Sequence, residues 1–387
     1  MRAFVIAGEP SGDALGAALM GGLQNLRPDV RFDGVGGPLM QARGLTSLFD
    51  MDELSVMGLA EIVPRYRALK RRMRQTVKAI IAARPDVLIT IDSPEFTLRV
   101  ARAVKAATGI RTVHYVAPSV WAWRPRRAEK MAGYIDQVLA LFPFDPPLIR
   151  AAGVACDFVG HPIACAPQAS EAQAAAFRLS HGLGDAPLLL VLPGSRRAEV
   201  TRLMPVFGPV VAQLSAARPG LRAILPAPKP VVGQVQALCA DWPVKPLVLD
   251  PRELGDARWQ SDKRAAFRAA DVALAASGSV SLELAAAFTP MVIAYDMHWI
   301  TRMALQKMLV TDTVTLVNKI TERRTVPEFL GRDCRADLIA PALEEVFDHP
   351  MNQRGALVEC MSVLGQGADD PGLRAAKAIM DGIKRAR

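Results

Sequence analysis

An α/β fold built from two parallel-sheet domains is predicted by three features of this 387-residue sequence. Uninterrupted apolar runs, the pattern of strands buried on both faces, alternate with helix-like stretches along the chain. Two of those runs, RAFVIAG (2–8) and PLLLVLPG (187–194), lead directly into small-residue turns that open helices. The turns are Gly8-Glu9-Pro10-Ser11-Gly12-Asp13 and Pro193-Gly194-Ser195-Arg196, one opening each half. A helix start presents free N–H groups and the positive end of its dipole, and small residues let an anion approach. The expectation is two Rossmann-like lobes with substrate in the cleft between them.

The elements follow from the same reading. In the first half, strands are expected at 87–91, 112–116, 137–142 and 157–160, with helices after Ser11, Glu95, Arg127 and Asp145. In the second half they are expected at 188–192, 222–226, 246–250, 271–276 and 291–295, with helices from Arg197, Val231, Asp262 and Ser281. The patternless stretch Cys165–Gln173 reads as a linker, giving domains at 1–165 and 166–350. Residues 351–387 read as helices able to pack back on the first domain.

Composition narrows the class. The chain is 51% hydrophobic and 22% charged, which suits a globular protein. Its five cysteines are scattered and lack CxxC spacing, which argues against a disulfide framework or a zinc site and favours a reducing cytoplasm. No signal peptide is recognised, and no apolar stretch approaches the ~18–20 residues of a membrane span. The net charge of +9 is concentrated early, with 21 Lys and Arg against 15 Asp and Glu in residues 1–165. Much of the excess lies at Arg65, Arg67, Lys70, Arg71, Arg72, Arg74 and Lys78, with a second cluster at Arg124, Arg126 and Arg127. Val56, Met57, Leu59, Ile62 and Val63, and the pair Trp121 and Trp123, stand beside these cations. That mixture suits an anionic membrane or lipid as well as it suits a plain solvated face. Nucleic acid is disfavoured because no binding motif accompanies the charge.

Candidate chemistry gathers at strand ends. Asp92 closes the run at 87–91, so its carboxylate should emerge at the carboxyl edge of a parallel sheet, where such sheets bind ligands. A helix-capping role competes with catalysis there. In the second half, Ser277-Gly278-Ser279 follows a strand and makes room for a diphosphate, and Glu283 could accept two hydrogen bonds from a ribose diol. Arg196 can pair with phosphate. Asp50-Met51-Asp52 resembles a metal-binding DxD but follows no suitable strand, so no metal is assigned. His114, inside an apolar strand, and His161 read as core or capping residues. No GxGxxG or P-loop pattern occurs at the turns.

Taken in order, GEPSGD (8–13), ELSVMGLAEI (53–62), IDSPEF (91–96), APSVWAWRPRR (117–127), FVGHP (158–162), LPGSRRAEV (192–200), ASGSVSLE (276–283) and VPEFL (326–330) resemble the lipid-A-disaccharide synthases. The resemblance covers nearly the whole chain. Small departures stand at Ser93, Glu95, Thr97 and Gly331. It implies a GT-B fold and an inverting glycosyltransferase. UDP-2,3-diacylglucosamine would donate its sugar to the 6-hydroxyl of 2,3-diacylglucosamine 1-phosphate, giving a β-1,6-linked disaccharide phosphate and UDP. No cofactor is implied. It further implies Asp92 as general base, with Glu9 and Ser11 on the opposite wall. Ser195, Arg196, Ser277, Gly278, Ser279 and Glu283 would hold the nucleotide, with Asn318 near it. Met57, Leu59, Ile62, Val63, Arg71, Arg72, Trp121, Trp123 and Arg124 would meet acceptor and membrane. The enzyme would sit peripherally on the cytoplasmic face of the inner membrane, and a homo-oligomer is allowed. The rival readings are another GT-B UDP-sugar transferase with a different lipid acceptor, a UDP-sugar 2-epimerase, and a non-catalytic binding protein that keeps the fold.

Overall fold

A computed structural model describes residues 1–54, 59–118, 126–296 and 313–385, with side chains outside 59–66 and 126. The chain divides into two units: Met1–Cys165 together with Leu364–Arg387, and Ala166–Val363.

The first unit is built on a seven-stranded sheet, β1 (Arg2–Ala7), β2 (Arg31–Val35), β3 (Thr46–Ser47), β4 (Val87–Ile91), β5 (Arg111–Tyr115), β6 (Gln137–Ala140) and β7 (Ala155–Phe158). The order is β3-β2-β1-β4-β5-β6-β7, and every pairing is parallel. Strands β4 and β6 are buried at every position, as sheets covered by helices on both faces require. Between them run α1 (Pro10–Leu26), α2 (Pro38–Gln41), α3 (Leu59–Ala83), α4 (Pro94–Ala107), α5 (Arg126–Met131) and α6 (Asp145–Ala151). Proline occupies an opening position of α1, α2, α4 and α6, where its missing N–H costs nothing.

The second unit repeats the plan. After α7 (Glu171–Ser180), its sheet comprises β8 (Leu188–Leu192), β9 (Arg222–Pro226), β10 (Leu247–Leu249), β11 (Val272–Ala275), β12 (Met291–Tyr295) and β13 (Glu328–Leu330). They lie in the order β10-β9-β8-β11-β12-β13, again all parallel. The helices are α8 (Arg197–Ala217), α9 (Val232–Cys239), α10 (Pro251–Leu254), α11 (Asp256–Ala269), α12 (Val280–Ala286), α13 (Leu316–Thr321), α14 (Ala336–Asp348) and α15 (Met351–Val363). Val200, Leu203, Phe207 and Val211 of α8 pack on Leu189, Val191 and Leu225 of the sheet. Burying each such side chain stabilises the unit by roughly 1.5–3 kcal/mol.

The chain's last described helix, α16 (Pro371–Arg385), belongs to the first unit, where Ala375, Ala376 and Ile379 join the core of Val5, Leu19, Leu23 and Tyr115. It crosses α1 so closely that a Cβ on Gly22 would lie 2.6 Å from the Gly372 oxygen, and one on Gly372 2.5 Å from the Ala18 carbonyl. Glycine at both positions is what permits the crossing. The region from 351 onward is therefore split: α15 stays with the second unit and α16 completes the first.

The sequence pattern does not announce strands β2, β3 and β13. β2 (RFDGV) carries Asp33 and Gly34, which disguise it, yet Gly34 sits where a Cβ would meet the Val5 oxygen at 1.8 Å. Only glycine lets β2 pair with β1 there. Helix α11 begins six residues before the predicted Asp262, and α7 starts within the expected linker.

Candidate active site

In each sheet the strand order reverses once, and at such a point the loops leaving two neighbouring strands diverge to opposite faces and leave a crevice. The reversal lies between β1 and β4 in the first unit and between β8 and β11 in the second. Four predicted motifs are the loops at these two points: Gly8–Asp13 and Asp92–Ser93, then Pro193–Arg196 and Ala276–Ser279.

In the first unit, Asp92 and Ser93 are consecutive left-handed residues, with φ of 47° and 42°. Such conformations cost a non-glycine residue of order 1 kcal/mol or more and persist where neighbours enforce them. Thr97 enforces this one. Its buried hydroxyl reaches the Asp92 carbonyl at 2.5 Å and the Ser93 carbonyl at 3.1 Å. The elbow leaves Asp92 partly buried, and that burial raises its carboxyl pKa above the usual aspartate value, with the Ser93 N–H opposing. Across the crevice, Ser93 Oγ donates to Glu9 Oε1 at 3.5 Å. Gly8 makes room for that hydroxyl, since a Cβ there would be 2.7 Å from it. Glu9 and Ser11 are exposed. Asp13, by contrast, is buried and accepts from the Gly37, Leu39 and Met40 amides at 2.8–3.0 Å, tying α1 to the start of α2.

In the second unit, Gly194, Ser195, Arg196, Ser277, Gly278, Ser279 and Glu283 all line one cavity of about 280 Å³, together with Glu199, Trp259, Lys263 and Phe267. Lys263 pairs with Glu283 at 2.5 Å and lies over the rings of Trp259 and Phe267, at 5.8 and 5.2 Å. The sequence reading missed Lys263, although Trp259, Lys263 and Phe267 recur at four-residue spacing on one face of α11. It also missed Glu199. That carboxylate accepts from the Ser195 and Arg196 amides at 3.1 and 3.2 Å and from Arg196 Nη1 at 3.1 Å. The backbone donors expected to meet a diphosphate are therefore already engaged.

The structure also places the other residues singled out by sequence. Asn318 is buried and spends both ends of its amide on Val326, donating at 2.8 Å and accepting at 2.9 Å, and it does not line the cavity. Arg72 turns inward to Glu53 and over the Phe49 ring at 4.6 Å, so it leaves the open basic face. Arg67, Lys70, Arg71, Arg74 and Lys78 form that face, one exposed stripe along α3. Met57, Trp121, Trp123 and Arg124 lie outside the described residues, as do the side chains of Leu59, Ile62 and Val63. His114 meets the Thr90 hydroxyl at 2.9 Å, and burial drives its pKa down to about 3. His161 accepts from the Ile163 N–H at 3.1 Å and stacks on Phe142, with a pKa lowered by burial to about 4. Both imidazoles are neutral at pH 7. Asp50 caps a short helical turn by accepting from the Asp52 N–H at 3.0 Å.

Comparison with known proteins fits this geometry. The family model described as lipid-A-disaccharide synthetase matches residues 3–364. The lipid-A-disaccharide synthase of Ruegeria pomeroyi is 57% identical over 98% of this chain and 95% of its own length. That of Rhodospirillum centenum is 43% identical over 99% and 94%. Among solved structures, the UDP-GlcNAc 2-epimerase of Neisseria meningitidis bound to UDP-GlcNAc superposes with a TM-score of 0.61 at 12% identity, covering the whole of both chains. At that identity the likeness speaks for the shared two-sheet fold.

Proposed function

Because the chain belongs to the lipid-A-disaccharide synthetase family, a family of glycosyltransferases in lipid A biosynthesis, we propose that it joins UDP-2,3-diacylglucosamine to 2,3-diacylglucosamine 1-phosphate. In this reading Asp92 takes the proton from the acceptor 6-hydroxyl as its oxygen attacks the anomeric carbon. The bond from that carbon to the diphosphate breaks, UDP leaves with the electron pair, and the anomeric configuration inverts. The observation that carries the assignment is Asp92 itself: a carboxylate at the switch point of the first sheet, held in a strained elbow and biased toward its protonated form by burial. A raised pKa makes a carboxylate a stronger base when ionised. Glu9 and Ser11 form the opposite wall, which Ser93 reaches through its hydrogen bond to Glu9, and an acceptor hydroxyl would be oriented there. The second unit's cavity takes the nucleotide in this scheme, with Ser277–Ser279 and Arg196 toward the diphosphate and Glu283, released from Lys263, toward the ribose.

Among the described residues no helix is long and apolar enough to cross a membrane. For a diacylated donor and acceptor, the α3 stripe would instead hold the enzyme against anionic head groups, each cation near the surface contributing about 1 kcal/mol. The epimerase alternative has only fold likeness in its favour.

The test is UDP release from the donor in detergent, with and without acceptor, beside Asp92→Asn. The expected result is acceptor-dependent release with a disaccharide product, reduced roughly 10²–10⁴-fold in the variant while UDP still binds. Release without acceptor, or near-normal turnover in Asp92→Asn, removes the assignment.

A further inference from the structure

Three hydrogen bonds join Glu199 to the Gly194–Arg196 turn. The carboxylate is the third residue of α8, a 21-residue helix, and lies at the positive end of its dipole. Its Oε2 accepts from two successive backbone amides, and Oε1 accepts from the Arg196 guanidinium. The two partners differ sharply in exposure: the Glu199 side chain is 13% exposed and that of Arg196 72%. The turn is shaped around the carboxylate. Gly194 has φ of 107°, and a Cβ there would lie 2.4 Å from Glu199 Oε2. All of these groups line the cavity that also holds Ser277, Gly278, Ser279 and Lys263.

A phosphate cannot use the Ser195 and Arg196 amides while Glu199 occupies them, and the fixed negative charge repels one that tries. The guanidinium remains exposed, with donors beyond the one it gives to Glu199. We propose that Glu199 is a positioning residue of the donor site. It closes the turn's amides to phosphate and aims Arg196 across the cavity, leaving the diphosphate to that guanidinium and to the Ser277–Ser279 turn. This rests on the reading of the cavity as the UDP site.

Calorimetric titration with UDP, paired with donor and acceptor KM values, tests it. Glu199→Gln keeps the reach but has one acceptor oxygen, so it can hold either the amides or Arg196, and should weaken UDP by only about threefold. Glu199→Asp keeps the charge but is one methylene too short to span the turn, and should weaken UDP roughly tenfold. Donor KM should rise in parallel while acceptor KM stays unchanged. Glu199→Ala should behave like Glu199→Asp, and if it fails to fold the Gln and Asp pair still decides. Tighter UDP binding in any of the three would mean that freeing the amides outweighs any loss of Arg196 placement, which overturns the positioning role. So would normal binding in Glu199→Asp with loss in Glu199→Gln. Glu283→Ala separates the two levels. Unchanged UDP binding in that variant refutes the cavity as nucleotide site, whereas a loss there with normal Glu199→Asp refutes the positioning role alone.

Discussion

Asp145 offers a direct test of the electrostatics in the first unit. It opens α6, is 1% exposed, and its Oδ1 has no hydrogen-bond partner among the described residues. Burial pushes its carboxyl pKa from 3.8 up to about 7, and burial, helped by the Asp145 charge, raises the neighbouring Cys156 thiol to about 12. A carboxyl with a higher pKa folded than unfolded binds its proton more tightly in the native state. Its favourable contribution is complete below pH about 4 and is lost as pH rises through about 7. A tenfold change in proton affinity corresponds to about 1.4 kcal/mol, so the rise from 3.8 to about 7 sets a ceiling of about 4 kcal/mol. Asp145→Asn removes the ionisation while keeping the shape. Its stability relative to the wild type should therefore improve from pH 4.5 to pH 8, by about 2–4 kcal/mol. Urea denaturation of both proteins at the two pH values measures this difference directly. An equal effect at both pH values, or an advantage of the variant that shrinks as pH rises, refutes the claim that burial raises the pKa of this carboxyl.

Further outcomes follow from the same geometry. The acid limb of kcat/KM should fall at a pH above that of an ordinary aspartate, because burial raises the Asp92 pKa, and a pH–rate profile locates it. Thr97→Val removes the hydroxyl that pins the Asp92 and Ser93 carbonyls. It should lower kcat about tenfold with UDP affinity unchanged, and Thr97→Ser should restore most of the loss; steady-state kinetics of the two variants decide. Replacing Arg67, Lys70 and Arg74 together with Gln should weaken sedimentation with anionic vesicles by about 1 kcal/mol per cation and leave turnover of short-chain substrates in detergent intact. Equal sedimentation of variant and wild type at low salt would discard the α3 stripe as the membrane contact.

What the sequence revealed and what it hid have separable causes. Strand and turn positions around both switch points were legible because fully buried strands give unbroken apolar runs and the turns need small residues. β2 was hidden by the Gly34 that makes its pairing possible. Roles that depend on which way a side chain turns were the least visible. Arg72 sits in a basic run yet faces Glu53, and Asn318 sits in a plausible nucleotide segment yet closes on Val326. Glu199 stands inside the LPGSRRAEV motif, but nothing in its spacing separates a surface glutamate from one folded back onto its own turn.

The placement of α16 has a consequence for biosynthesis. During translation the first sheet's strands emerge early, but the helix bearing Ala375, Ala376 and Ile379 follows only after the entire second unit. Until Pro371–Arg385 leaves the ribosome, the flank of α1 at Ala18 and Gly22 lacks the helix that packs on it, so the nascent first unit cannot complete its core. A chain cut after Val363 would remain in that incomplete state permanently, and a fragment meant to stand for the first unit must carry 364–387 joined to 1–165.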